Sequence, residues 1–174
     1  MIMYDIIPFL DSQLTIFKQN DALVFISLAI DGVKEFNLFY PNEQVTRATL
    51  PEMIAFKRYA AGETVDLSQL KIDYLKGTAF QRDIWTAMHD MLPNDTLTYT
   101  QLASRANHPT AIRAVASAVG KNPLTIINAC HRIVPKSGGI GKFRYGSEMK
   151  QNLRQLDQAM MASKQTEKSD IIAI

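Results

Sequence analysis

Two Thr-x-x-Gln patterns, Thr78 with Gln81 and Thr98 with Gln101, mark helix starts in the middle of this chain. At this spacing the threonine hydroxyl accepts the amide of the third helical residue, and the glutamine side chain returns to the threonine amide. Two donors that a helix start leaves open are thereby satisfied. Behind the first cap, Phe80, Ile84, Trp85, Met88 and Leu92 form a helical stripe that Pro93-Asn94-Asp95 ends. Behind the second, a short helix is expected over Gln101 to Ala106. Asn107-His108-Pro109 then turns the chain into another helix from Thr110 to Val119, closed by Gly120. Two short helices joined by a brief turn fit a helix-turn-helix. The second is slim, with Ala111, Ala114, Ala116, Ser117 and Ala118, and carries one long cation, Arg113. Such a helix can approach a nucleic-acid groove closely, or it can pack tightly against a core. Its composition admits both.

The residues before Gly77 read as strands followed by a helix. Ala22 to Ala29 is an apolar run, Asp31-Gly32 is a hairpin signal, and Val33 to Tyr40 is expected to return as a strand. Leu50, Met53, Ile54 and Ala61 indicate a helix that stops at Gly62, and Thr64 to Tyr74 reads as extended or irregular. At the other end, Met149, Leu153, Leu156 and Met160 mark a last amphipathic helix, beyond which 163–174 reads as a mobile end.

Charge divides the chain in the same place. Residues 1–76 hold seven Lys/Arg against ten Asp/Glu, whereas residues 77–157 hold ten against five. A basic second part suits a polyanionic partner, although solvated surfaces often carry such an excess. No stretch approaches the roughly 18–20 apolar residues of a membrane span, and the first residues lack a signal-peptide pattern. The single cysteine, Cys130, excludes an internal disulfide and a cysteine-rich metal cluster. A reducing cytoplasm suits a chain whose one thiol must stay free.

Cys130 is the leading candidate for chemistry, because a thiolate is intrinsically nucleophilic. A lone cysteine near Ile126, Ile127 and Ile133 is equally consistent with a small buried hydrophobe. The adjacent His131 and Arg132 favour chemistry. In an extended segment neighbouring side chains point to opposite faces, so proton transfer between Cys130 and His131 would need a water or a local turn. Asp157, beside the apolar stripe of the last helix, is available to orient the imidazole, or is a solvated helix acid. Tyr99, just after a helix cap, can donate a phenolic hydrogen bond or simply cover the helix pair. Asn122 before Pro123 can brace the helix exit or serve an ordinary turn. His89 and His108 have no ligand spacing with His131 or Cys130, so no metal is expected.

Taken in order, Gly77 to Arg82, Ile84-Trp85, Thr98 to Ala103, Ile112 to Val115, Asn122-Pro123, Ala129 to Val134 and Leu156-Asp157 resemble the O6-alkylguanine-DNA alkyltransferases, also called methylated-DNA–protein-cysteine methyltransferases. The likeness covers about half the chain, and Arg113 to Ala118 is similar to the Ada-type and Ogt-like bacterial members. It implies a two-part α/β fold. Residues 1–75 would form a small antiparallel sheet with helices, and residues 76–162 a mainly helical DNA-binding and catalytic domain with the helix-turn-helix.

The resemblance further implies a single-use repair protein that moves an alkyl group from O6 of guanine, and O4 of thymine, onto Cys130. His131 would activate the thiol through a water, with Asp157 standing where the family has glutamate. Tyr99 would donate toward guanine N3. Arg113 would fill the space of the rotated-out nucleotide, with the helix from Thr110 through Ala114 in the minor groove of double-stranded DNA. Asn122 would brace the active-site turn, Ile133 and Cys130 would read the base through backbone atoms, and the Arg144 amide would face O6. Phe143 stands where many members have tyrosine, Tyr145 where many have glycine, and Ala129 where a proline is usual. Tyr145 is expected to crowd the pocket against adducts larger than methyl. No cofactor, metal or membrane is implied, and a monomer is expected. A non-catalytic alkylated-DNA binder of the same fold and a helix-turn-helix regulator are the alternatives.

Overall fold

A computed structural model describes the backbone of residues 1–173 and the side chains of residues 1–162. Three strands run as a meander: β1 (Ile2–Phe9), β2 (Ser12–Gln19) and β3 (Ala22–Ser27), each antiparallel to the next. Leu10 and Asn20, at the two tight turns, take positive φ, as hairpin connections of this length demand. A short β4 (Val45–Arg47) joins the free side of β1 in parallel, giving the order β3-β2-β1-β4. The sheet is therefore mixed, its antiparallel part being β1 to β3.

The segment expected to return as a strand is instead α1 (Gly32–Phe39). Asp31 caps it, accepting the Lys34 amide at 3.0 Å. Gly32 is there for contact rather than for a hairpin: a Cβ at this position would lie 2.3 Å from Thr15 Oγ1. α1 lays Phe36 onto Phe17 with ring centroids 4.4 Å apart, and Phe25 meets Phe36 edge-on at 5.5 Å. We expect Gly32→Ala to lower the unfolding free energy by about 1–3 kcal/mol. Urea denaturation would show it as a lower midpoint with an unchanged slope, and an unchanged midpoint would contradict it.

α2 (Met53–Ala60) follows, slightly shorter than its apolar spacing suggested, and the stretch after it is irregular apart from one 3-10 turn, Leu67–Gln69. The second part is built on α3 (Ala79–His89), α4 (Tyr99–Arg105) and α5 (Ile112–Gly120). Both Thr/Gln capping boxes are formed. α5 starts two residues later than Thr110, and Trp85 Nε1 ties it to α3 by donating to the Ala118 carbonyl at 2.9 Å. The long α6 (Ser147–Ala173) lies against the 3-10 turn Cys130–Arg132. Beyond residue 162 the expected mobile end lies outside the fully described residues.

The two parts share a core. Phe9, Leu14 and Phe56 cluster with Leu124, Ile127 and Leu153. The outer edge of β3 is covered rather than bare: Ile26 donates to the Pro123 carbonyl and Leu23 to the Lys71 carbonyl, both at 2.9 Å. The segment that leads to Cys130 is thus docked on the sheet edge, which otherwise would be a pairing hazard.

Candidate active site

Cys130 opens a 3-10 turn rather than sitting in a strand, and it is 8% exposed. Asn122, wholly buried, braces the loop before it. Its Nδ2 donates to the Asn128 carbonyl at 2.8 Å, and its Oδ1 accepts the Leu124 amide at 3.1 Å and Asn128 Nδ2 at 3.2 Å. Asn128 also donates to the Tyr74 hydroxyl at 3.1 Å. These bonds hold the loop that carries Ala129 in place of proline. Burial pushes the Cys130 thiol above its ordinary value of 9.0, opposed by a hydrogen bond from Asn122 and by the charges of Arg144 and Lys150. The resting group is a thiol.

Its neighbour His131 has no exposed surface. One ring nitrogen, Nε2, lies 2.9 Å from Asp157 Oδ2, so aspartate reaches the imidazole despite being a methylene shorter than glutamate. The same carboxylate accepts Arg132 in a bidentate pair, Nε to Oδ2 at 2.8 Å and Nη2 to Oδ1 at 2.9 Å. Arg132 Nη1 donates to the Met91 carbonyl at 2.9 Å, so the buried guanidinium is matched on both sides. Burial lowers the His131 pKa below 6.5, with Asp157 opposing the shift. Asp157 is held below 3.8 because hydrogen bonds and charge from Arg132 and His131 outweigh its burial. The imidazole is therefore neutral at pH 7. With Nε2–H given to Asp157, Nδ1 carries the lone pair, and it has no hydrogen-bond partner among the described residues.

Lys150 has no counterpart in the sequence reading. It is 1% exposed, and its ammonium donates to the carbonyls of Ile133 and Lys142. Lys150, Leu153 and Asp157 lie three and four residues apart on one face of α6, a polar pair inside an apolar stripe that the spacing alone could have exposed. The Ile133 side chain is buried in the same cluster as Cys130. Burial raises the pKa of half-buried Tyr99, and Cys130 once ionised raises it further.

Phe143, Arg144 and Tyr145 form the loop before α6. Phe143 packs against both core clusters, and its ring is 5.7 Å from that of Tyr145. The Tyr145 ring is packed on the sheet-side cluster, with its hydroxyl on Glu35 of α1.

On α5, whose composition admitted two roles, Val115, Ala118 and Val119 are buried, whereas Arg113, Ala114, Ala116 and Ser117 face outward with Thr110. The small residues therefore make an accessible flat face, not only a packed one. Among the described residues there is no group of three or more His, Cys, Asp or Glu able to hold a metal. His108 instead lies 2.9 Å from Asp83, and His89 beside Asp90. No described helix is long and apolar enough to cross a membrane. A cavity of about 400 Å³ touches Arg132 from the side of Tyr59, Met91 and Met160, away from Cys130.

Residues 79–159 match the family described as 6-O-methylguanine DNA methyltransferase, DNA binding domain. A probable methylated-DNA–protein-cysteine methyltransferase of Acanthamoeba polyphaga mimivirus is 40% identical over 138 residues, which is 79% of this chain and 91% of that protein. This chain belongs to the methylated-DNA–protein-cysteine methyltransferase family. The family's Haemophilus influenzae member is 42% identical over 114 residues, 66% of this chain and 63% of that protein. The Kluyveromyces lactis member is matched over 56% of its own length, so the chain aligns with less than two thirds of each of these two relatives. The crystal structure of a variant of the Mycobacterium tuberculosis O6-methylguanine methyltransferase superposes with a TM-score of 0.75 at 26% identity, covering 90% of this chain and 93% of that one. That match spans both the mixed sheet and the helical part.

Proposed function

We propose that this methyltransferase-family protein repairs DNA directly, transferring a methyl or other alkyl group from O6 of guanine, and from O4 of thymine, to Cys130 in a single irreversible turnover. The observation that carries the reading is the buried chain Asp157–His131 beside a lone thiol, set behind a slim outward-facing helix with one arginine. Thiol and imidazole are both neutral at rest, so deprotonation accompanies attack. The sulfur proton passes through a water to His131 Nδ1, and Asp157 stabilises the imidazolium that forms. Sulfur attacks the alkyl carbon, and as the S–C bond forms the C–O6 bond breaks and leaves its electron pair on the base. Tyr99 donates toward N3 as that charge develops, a transition-state stabilisation. The thioether has no return path to a thiol.

DNA binding is assigned to α5. Thr110, Arg113 and Ala114 present a low surface to the minor groove of a duplex, and Arg113 fills the gap left by the rotated-out nucleotide. Asn122, Ile133, Phe143 and the Arg144 backbone enclose the flipped base, and Tyr145 belongs to the pocket loop with its ring turned onto the sheet side. The protein acts as a monomer without a cofactor, in a reducing cytoplasm that keeps Cys130 a thiol.

Intact-protein mass after incubation with duplex DNA containing O6-methylguanine tests this. One methyl per chain is expected, mapped to Cys130 and abolished in Cys130→Ala. Retained DNA binding with no mass gain would reduce the protein to a damage binder.

A further inference from the structure

Around Arg144 and Tyr145 the loop before α6 brings two polar side chains to one carboxylate of α1. Tyr145 donates its hydroxyl hydrogen to Glu35 Oε1 at 2.6 Å, and Glu35 Oε2 faces Arg144 Nε at 3.9 Å. The guanidinium is wedged between two rings, 5.1 Å from the Phe39 centroid and 5.0 Å from that of Tyr145. Its nitrogens donate to the Gly120 carbonyl at 3.1 Å, to Thr125 Oγ1 at 3.0 Å and to the Tyr145 hydroxyl at 3.0 Å. One side chain from the loop thus touches the end of α5, the segment before Cys130 and helix α1. Both Glu35 and Arg144 are largely buried, at 15% and 21% side-chain exposure, where charge-assisted bonds are stronger than at an open surface.

We propose that Glu35 is a specificity-determining residue: by clamping Tyr145 and Arg144 to α1, it sets how far the loop carrying Phe143 can yield to a large alkyl group. The inference rests on the functional reading above. A loop tied down at its middle cannot move outward to admit a ring, whereas a methyl group needs no such movement. The bulk of Tyr145 is already turned onto the sheet domain, so the restriction comes from the clamp rather than from the ring standing in the pocket. Glu35 touches no substrate atom and acts through the two loop side chains. It assigns the N-terminal sheet domain a part in substrate choice.

Single-turnover transfer from duplexes containing O6-methylguanine or O6-benzylguanine provides the test, read as the ratio of the benzyl to the methyl rate. Glu35→Ala is expected to raise that ratio about tenfold. Glu35→Gln keeps an oxygen acceptor for the Tyr145 hydroxyl and is expected to stay within about threefold of wild type. Tyr145→Phe removes the same bond from the other side, so its effect and that of Glu35→Ala should not multiply in the double variant. A merely structural role would lower the melting temperature and leave the ratio where it was. An unchanged ratio in Glu35→Ala, or two effects that multiply, overturns the proposal. Should Glu35→Ala not fold, Tyr145→Phe decides: a raised ratio supports the clamp and an unmoved one overturns it. If the wild-type protein transfers neither group, the functional reading itself fails, an outcome distinct from transfer with an unmoved ratio.

Discussion

Asp157→Ala is expected to slow alkyl transfer by about 10²–10⁴-fold and to lower stability by about 3–5 kcal/mol. The size of both effects follows from burial. Arg132 would keep its bond to the Met91 carbonyl but lose both bonds to the carboxylate, leaving a guanidinium without a counter-charge in a protein interior. His131 would lose the partner that fixes its tautomer, so Nδ1 would no longer be held as the proton acceptor. The pH dependence has a definite sign. Asp157 is depressed below 3.8 in the folded protein, so it stabilises the fold above that pH and its contribution is lost as pH falls below it. His131 is likewise depressed below 6.5, so the folded state loses stability as pH falls from 6.5 toward its lowered value. Urea denaturation at pH 7 and pH 5 checks the His131 part, a further measurement near pH 3 checks that of Asp157, and single-turnover kinetics checks the rate. A loss under about 1 kcal/mol would place this pair with solvated surface ion pairs and contradict its burial.

Asn122→Ala is the second large expectation. The Leu124 amide would lose its buried partner, at about 1–3 kcal/mol for a group left unmatched, whereas the Asn128 carbonyl would keep the Cys130 amide. Asn128 Nδ2 would keep only its bond to the Tyr74 hydroxyl. The thiol would lose a donor that favours its charged form, so its pKa, already raised by burial, should rise further. The rate of alkyl transfer should fall about 10–10²-fold at pH 7, as expected for loss of a hydrogen bond to a charged group, and its alkaline limb should move to higher pH. A slower reaction whose pH profile kept its midpoint would show that Asn122 shapes the turn without acting on the thiol.

Much of this arrangement was legible in the chain itself. The Thr-x-x-Gln pairs announced α3 and α4 because a capping box is local, formed by residues three apart whatever surrounds them. Asp31-Gly32 misled for the opposite reason. An Asp-Gly pair serves a hairpin or a helix start equally well, and the choice fell to Thr15, seventeen positions away, which leaves no room for a Cβ at Gly32. The placement of Cys130 was equally non-local. A strand would have turned His131 away from the thiol's side, but the 3-10 turn forms because Asn122 and Asn128 tie the loop while Pro123 is bonded to β3.

Residue type and spacing along a few turns of chain were enough for composition and local order: one thiol next to His131-Arg132, a slim helix with a single arginine, and a basic half joined to an acidic one. The folded arrangement was needed to show which acid reaches His131, that Arg132 shares it, that Lys150 is buried against the Ile133 carbonyl, and that Glu35 of α1 accepts the Tyr145 hydroxyl. Each of these pairs residues from different elements, and its strength comes from removing charges from water, which only the assembled core can do.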